Sequence, residues 1–168
     1  MNEIVHALDR NLDREIETRR SLLELVELEG RTIQAGDHEE LDHTLAQIRE
    51  TLAGLTPIEE ERSELLERIA AVLGSDAQIA TLTEIAHAVG GDAGSDLLAK
   101  RDELRRILRE TLARNRQNQY LLRFASGMVS ETIDMLMAGP APAAKKTYGP
   151  TGSTGNPDRQ GALFRARV

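Results

Sequence analysis

Glutamate and histidine residues recur in this sequence at a spacing that can bind metal. Glu40 and His43 form one Glu-x-x-His pair, and Glu84 and His87 form another. Helical bundles build di-iron sites from such pairs when both side chains point into the core. Here the neighbouring leucine and isoleucine residues mark the inward face of each helix, and both pairs fall outside that face. His38 lies five residues from His43, so these two side chains also diverge. The sequence therefore predicts no metal site.

The sequence also lacks the residues and motifs that other kinds of catalysis require. The chain contains no cysteine, which excludes thiol catalysis and thiolate zinc sites. The glycine-rich run at 90–94 follows no strand, so we interpret it as a flexible joint and not as a phosphate-binding loop. Serine, histidine and aspartate residues are present, but none lies in a strained nucleophile turn. We expect no catalytic residues, no cofactor and no enzymatic activity.

The composition favours helices and a cytoplasmic location. The sequence has only two phenylalanines, two tyrosines and no tryptophan, so its core must consist of Leu, Ile, Val and Ala. A net charge of −7 and so few aromatic platforms disfavour nucleic acid as a partner. The N-terminal segment does not resemble a secretory signal, and no apolar run approaches the ~20 residues that span a bilayer. We expect a cytoplasmic protein without direct membrane insertion.

Apolar periodicity predicts three long helices and one short helix. The first runs from about Asn2 to Ala35, and Asp37 then caps a second helix that extends to about Leu73. Pro57 lies within the second helix and predicts a kink or a brief break there. A short third helix follows, and Ser95 is expected to cap the longest helix, which ends near residue 138.

These elements predict an all-α fold in two parts. Similar helix lengths and short turns favour an elongated antiparallel bundle over residues 1–138. The segment before residue 95 is acidic and the rest is basic, which indicates either helices of opposite charge packed together or a face that steers a basic partner. Residues 139–168 are rich in small and polar residues and are expected to form a disordered tail. The tail ends in an apolar cluster, Leu163, Phe164 and Val168, whose docking on a partner stays open.

Two asparagines stand out on the last helix. Asn115 and Asn118 occupy expected core positions of the heptad pattern between Leu108 and Leu122. Buried asparagine fixes the register of packed helices at some cost in stability. A register device and a functional role are both consistent with this pattern.

At these residues the chain resembles the FlgN family of flagellar secretion chaperones. That family has paired asparagines three residues apart followed by two leucines, which here are Asn115, Asn118, Leu121 and Leu122. A Tyr-Gly-x-x-Gly signature in the tail corresponds to the segment at 148–152, and the Arg-x-x-Leu-Leu segment at 62–66 also matches. The resemblance covers nearly the whole chain. Pro57 and the glycines at 90–94 depart from the smoother helices of the family.

The resemblance implies a chaperone for the hook–filament junction proteins of the flagellum. Such a chaperone prevents premature assembly of its clients and delivers them to the membrane protein of the export gate. Residues 121–137 include ten apolar side chains, more than one buried stripe requires. We therefore expect clients to bind at Leu121, Leu122, Ala125, Met128, Val129, Ile133 and Leu136. Tyr148 and Gly149 are expected to dock on the export gate.

The alternative is a structural or signalling coiled-coil scaffold, a homodimeric helical bundle without a role in secretion. The sequence does not separate it from the chaperone, and self-association into a homo-oligomer stays open under either hypothesis. A seam that is buried by dimerisation would favour the scaffold, whereas a tail that carries a distinct binding peptide favours the chaperone.

Overall fold

The computed structural model describes residues 2–74 and 81–137, and every regular element within these ranges is an α-helix. The helices are α1 (Asn2–Ala35), α2 (His38–Leu73), α3 (Leu82–Val89) and α4 (Gly91–Met137). Three long helices and one short helix are thus confirmed. The chain divides into two compact units, one ending at Met128 and the other beginning at Val129. The expected disordered tail at 139–168 lies outside the described residues.

The turn between α1 and α2 forms as its sequence predicts. Gly36 has a φ of 69°, a conformation that glycine adopts without steric penalty. The Asp37 carboxylate accepts a hydrogen bond of 3.1 Å from the backbone N–H of Glu40, and this satisfies a donor at the start of α2. Such a short turn forces the two helices to lie side by side.

Cross-helix pairs define the directions of the long helices in the first unit. Arg19 pairs with Glu59 and Arg62 with Glu15, so the residue numbers run in opposite directions and α2 is antiparallel to α1. Between α1 and α4 the numbers rise together, because Asp9 pairs with Lys100, Arg20 with Glu103 and Glu27 with Arg114. Helices α1, α2 and α4 of the first unit therefore run up, down and up. The charges in these α1–α4 pairs run in both senses, since α1 provides the acid at Asp9 and Glu27 and the base at Arg20.

The core is aliphatic, as the composition predicts. The main cluster joins α1, α2, α3 and α4, and its buried members are Val5, Leu8, Leu12, Ile16, Leu65, Ile69, Ile85, Ala86, Leu97, Leu104 and Ile107. A smaller cluster of Leu22, Val26 and Leu55 fills the space between α1 and α2 further along α1. These contacts bury the apolar stripe that the heptad pattern indicates.

Helix α2 continues through Pro57 without a break. Proline has no backbone N–H, so the carbonyl of Ala53 lacks its usual donor within the helix. Contacts from α1 hold the adjacent turn: Asn11 Nδ2 donates a 3.1 Å hydrogen bond to the carbonyl oxygen of Ile58. Tertiary contacts thus maintain the helix at a position where local sequence favours an interruption.

The expected flexible joint at 90–94 is wrong, because α4 already begins at Gly91. Gly90 and Gly91 both have positive φ and form a tight corner. Gly94 then lies so close to the backbone carbonyl of Ala86 that a Cβ atom there would collide with it. The glycines therefore permit close contact between α3 and α4. Ser95 is one turn inside the helix, where its hydroxyl donates to the carbonyl of Gly91 at 3.1 Å.

Candidate functional site

A buried polar contact joins α4 to α1. The side-chain amide of Asn118 donates to the carbonyl oxygen of Val26 at 2.7 Å and to Oε2 of Glu29 at 2.9 Å. Asn118 and Glu29 are both buried. The glycine at position 30 provides the room, since a Cβ there would lie 2.5 Å from Oδ1 of Asn118. This contact fixes the register of the two parallel helices, in agreement with the role that buried asparagine has in helical cores.

The prediction that Asn115 is also a core residue is wrong, because its side chain is exposed. A strict heptad assumes 3.5 residues per turn, whereas an α-helix has about 3.6. The buried face of α4 therefore moves around the helix and passes through Leu104, Ile107 and Asn118. Leu108 and Leu122, which share the heptad position of Asn115, are exposed for the same reason.

A second polar cluster lies between α1 and α2. The side chain of Glu15 is 1% exposed, and its carboxylate pairs with Arg19 at 2.8 Å and with Arg62 at 2.5 Å. Arg62 belongs to the Arg-x-x-Leu-Leu segment that resembles the family, so that segment places an interhelical ion pair beside the buried Leu65. Glu15 was not predicted from the sequence. Its position beside Ile16 and three residues after Leu12, on the apolar face of α1, was the available signal.

The first unit loses its covering helix near the end of α4. Asn118 lies against Gly30, and α1 ends at Ala35, so α1 no longer faces α4 beyond about residue 123. The burial pattern follows this geometry. Leu121 is half-buried, and Ala125 and Met128, which lie further along α4, are exposed. The inward apolar face of α4 thus continues past the point where α1 can bury it.

In the second unit, the described residues continue as helix from Val129 to Met137, and all of them are exposed. Val129, Ile133 and Leu136 expose 59%, 49% and 77% of their surface. None of the seven residues expected to bind clients is therefore buried in the described structure, and their role as a binding site stays a prediction. Tyr148, Gly149 and the apolar cluster at 163–168 lie outside the described residues.

The glutamate and histidine residues considered as metal ligands have other positions. Within residues 2–74 and 81–137, no group of three or more His, Asp or Glu side chains could hold a metal ion. Glu84 accepts a hydrogen bond of 2.7 Å from the backbone N–H of Thr81, and the Thr81 hydroxyl accepts one from the N–H of Glu84. This reciprocal capping box starts α3, which accounts for Glu84.

Among the helices described, none is long and apolar enough to cross a membrane. The first unit is a helical bundle in which a buried polar contact fixes the register of α1 and α4. Toward the end of α4, apolar residues are exposed. Such a surface is suited to binding another protein.

Comparison with known proteins gives one result. No curated protein and no solved structure matches the chain. The model of a protein family, described as FlgN protein, matches residues 1–156, which include all four helices and most of the segment beyond them. The chain therefore belongs to the FlgN family of flagellar export chaperones.

Proposed function

We propose that this protein is a cytoplasmic chaperone that binds the terminal helices of hook–filament junction proteins at the uncovered end of α4. It prevents their premature assembly and delivers them to the export gate. The observation that supports this function most directly is the exposure of Leu122 and Met128 in the first unit and of Val129, Ile133 and Leu136 in the second. An amphipathic helix binds to such a surface through its own apolar face.

The chemistry of the surface suits a chaperone that holds its client reversibly. Methionine is unbranched and polarisable, so Met128, Met135 and Met137 can adapt to different client side chains. No nucleotide is required in this mechanism. A client leaves when a competing partner at the export gate binds it, or when secretion removes it and shifts the equilibrium.

The test compares two substitutions that introduce the same charge at equally exposed apolar positions. Ile133 is 49% exposed and Leu52, on α2, is 48% exposed. Ile133→Asp should weaken binding of a purified junction protein by about tenfold or more, because it places a charge in an apolar interface. Leu52→Asp should leave the affinity unchanged. Calorimetric titration gives both affinities, and thermal unfolding shows that both variants are folded.

Loss of affinity in both variants, or in neither, would contradict a client site at the end of α4. Sedimentation of the purified protein addresses the alternative function. A stable homodimer that hides Ile133 and binds no junction protein would indicate a structural scaffold. A complex with the junction protein that forms in place of self-association supports the chaperone.

Delivery to the export gate is proposed on the family resemblance of Tyr148 and Gly149. An amphipathic aromatic ring can bind a partner pocket at small entropic cost. Tyr148→Ala should leave client affinity intact and reduce secretion of the junction proteins. The paired measurement is client affinity with purified components and client export in cells. Normal export with Tyr148→Ala would remove this residue from the mechanism.

A further inference from the structure

A series of three arginines at seven-residue intervals on α4 has no acidic partner among the residues that the structure describes. Arg109, Arg116 and Arg123 are all exposed, and each lies seven residues from the next. Arg105 is a fourth exposed arginine of α4 without an acidic partner, outside this seven-residue series. By contrast, Arg106 pairs with Glu103 and Glu110, and Arg114 pairs with Glu27 on α1. Three neighbouring guanidinium groups therefore face solvent along one side of α4.

An exposed seam runs beside these arginines. Its members are separated alternately by four and three residues along the sequence. They are Leu108, Leu112, Asn115, Gln119 and Leu122. Leu108, Leu112 and Leu122 expose 39%, 54% and 42% of their surface. This spacing is that of a coiled-coil seam, and each arginine directly follows a seam residue, 108, 115 or 122. The arginines thus occupy the flanking position whose charges determine which helix can pair.

The helix cannot neutralise these charges itself. Residues 111–130 contain no aspartate or glutamate, and the nearest acidic residue before them, Glu110, is bound to Arg106. Arginine is weakly hydrated and forms bidentate hydrogen bonds with carboxylates. A row of arginines without acidic partners at heptad spacing is therefore complementary to a row of carboxylates at the same spacing. Arg109 does donate a 3.2 Å hydrogen bond to the carbonyl of Arg105, but that contact leaves its charge without an acidic partner.

We propose that the seam of α4 recognises an acidic amphipathic helix of the partner protein, with carboxylates at seven-residue intervals that face Arg109, Arg116 and Arg123. This inference rests on the proposed function and adds the chemical class of the client helix. The seam reaches Leu122, the first exposed residue of the expected client site.

A second copy of this chain does not supply those carboxylates. In an antiparallel pair of α4 helices, equivalent flanking rows meet, so arginine would oppose arginine. In a parallel pair, each arginine row would face the opposite flank, where Asn118 is buried against α1 and neither Thr111 nor Ala125 carries a charge. The charge pattern therefore favours pairing with a different, acidic helix over self-association. Its main effect is on the choice of partner, and its contribution to affinity is smaller.

Two synthetic peptides test this inference on the full-length protein. Both have about four heptads with the same leucine seam, and their flanking positions carry either glutamate or lysine. The wild-type protein should bind the glutamate peptide about tenfold more tightly, since exposed ion pairs contribute modestly but add up over three sites. The difference should shrink in about 1 M salt, where charges are screened within ~3 Å.

A charge reversal supplies the matched control. The variant R109E/R116E/R123E should prefer the lysine peptide. The variant R10E/R49E/R68E changes the net charge equally, at three exposed arginines that form no ion pair with the described residues. It should keep the wild-type preference. Circular dichroism verifies that both variants fold.

Equal affinity of the wild-type protein for both peptides, or binding of neither, would overturn the inference. The same holds if the control variant also reverses its preference, because net charge alone would then explain the result. A parallel titration with a purified junction protein keeps the two proposals separate. Client binding without a charge preference leaves the chaperone function intact, whereas absence of client binding contradicts that function whatever the peptides show.

Discussion

Asn118 on α4 donates a 2.9 Å hydrogen bond to the buried carboxylate of Glu29 on α1. The two residues are far apart in the sequence, and their contact lies where the aliphatic core has already ended on α4. A buried carboxylate without a hydrogen-bond donor is unfavourable. Glu29 receives this donor only when α1 and α4 pack in the observed register, so the bond favours that register.

Replacement of Asn118 by alanine should lower the free energy of unfolding by about 1–3 kcal/mol, because Glu29 then loses a buried donor. Asn115→Ala is the control on the same helix. Asn115 is exposed, so its replacement should change stability by less than about 0.5 kcal/mol. Chemical denaturation measures both, and equal effects would contradict a specific role for Asn118.

Two glycine substitutions should have opposite signs. Gly54 lies within α2, and no atom approaches within 4 Å of the position that an added Cβ would occupy, so Gly54→Ala should stabilise the protein by about 0.5–1 kcal/mol. At Gly30 the added Cβ would lie 2.5 Å from Asn118 Oδ1, so Gly30→Ala should destabilise it. In the Asn118→Ala background the collision disappears and Gly30→Ala should become neutral or stabilising. Thermal unfolding of the four variants checks this, and a penalty that persists in that background would rule out the close contact as its cause.

The ion pair of Arg62 with Glu15 should be sensitive to the loss of one partner. Arg62→Met leaves the buried Glu15 carboxylate with Arg19 alone and should reduce the free energy of unfolding by about 1–3 kcal/mol. The double variant Glu15→Met/Arg62→Met should recover part of that loss, since apolar residues can replace a buried pair. Arg68→Met, at an exposed position of α2, serves as the control and should have little effect. Additive effects of the two substitutions at 15 and 62 would argue against coupling.

Acid should weaken the link between α1 and α4 at Glu103. Hydrogen bonds from Arg106 and Arg20 lower the pKa of Glu103 from 4.5 to about 2. Because the folded-state pKa is depressed, this carboxylate stabilises the fold above pH 4.5, and the contribution declines as the pH falls toward 2. The difference in urea midpoint between wild type and Glu103→Gln should therefore be largest near neutral pH and shrink below about pH 5. Glu60→Gln, at an exposed residue without an ion pair to the described residues, is the control and should change the urea midpoint little at neutral pH.

Most helix boundaries were predictable because their signals are local. Gly36 and Asp37 end one helix and start the next through backbone conformation and a single side-chain hydrogen bond. The start of α4 was not predictable in this way. Gly94 permits close contact with the carbonyl of Ala86, and that requirement arises only when α3 and α4 pack together.

The candidate site was predictable in part. The excess of apolar residues after Leu121 indicated a surface beyond the core, and the structure shows those residues uncovered. The heptad pattern alone could not tell that Asn118 is buried and Asn115 exposed, since the buried face of a straight helix drifts relative to a seven-residue repeat. The burial of Glu15 was not predicted, because a charged residue on an apolar face is recognised as buried only when its partners on α2 are known.

The placement of the aromatic residues has a spectroscopic consequence. Tyr120 and Phe124 expose 69% and 60% of their surface, and the chain has no tryptophan. Emission from Tyr120 should therefore respond weakly to melting of the aliphatic core, which circular dichroism can follow instead. In the Tyr148→Ala variant, Tyr120 is the sole tyrosine, and it lies next to the expected client site. Its emission then supplies a label-free optical signal for a helix that docks on α4.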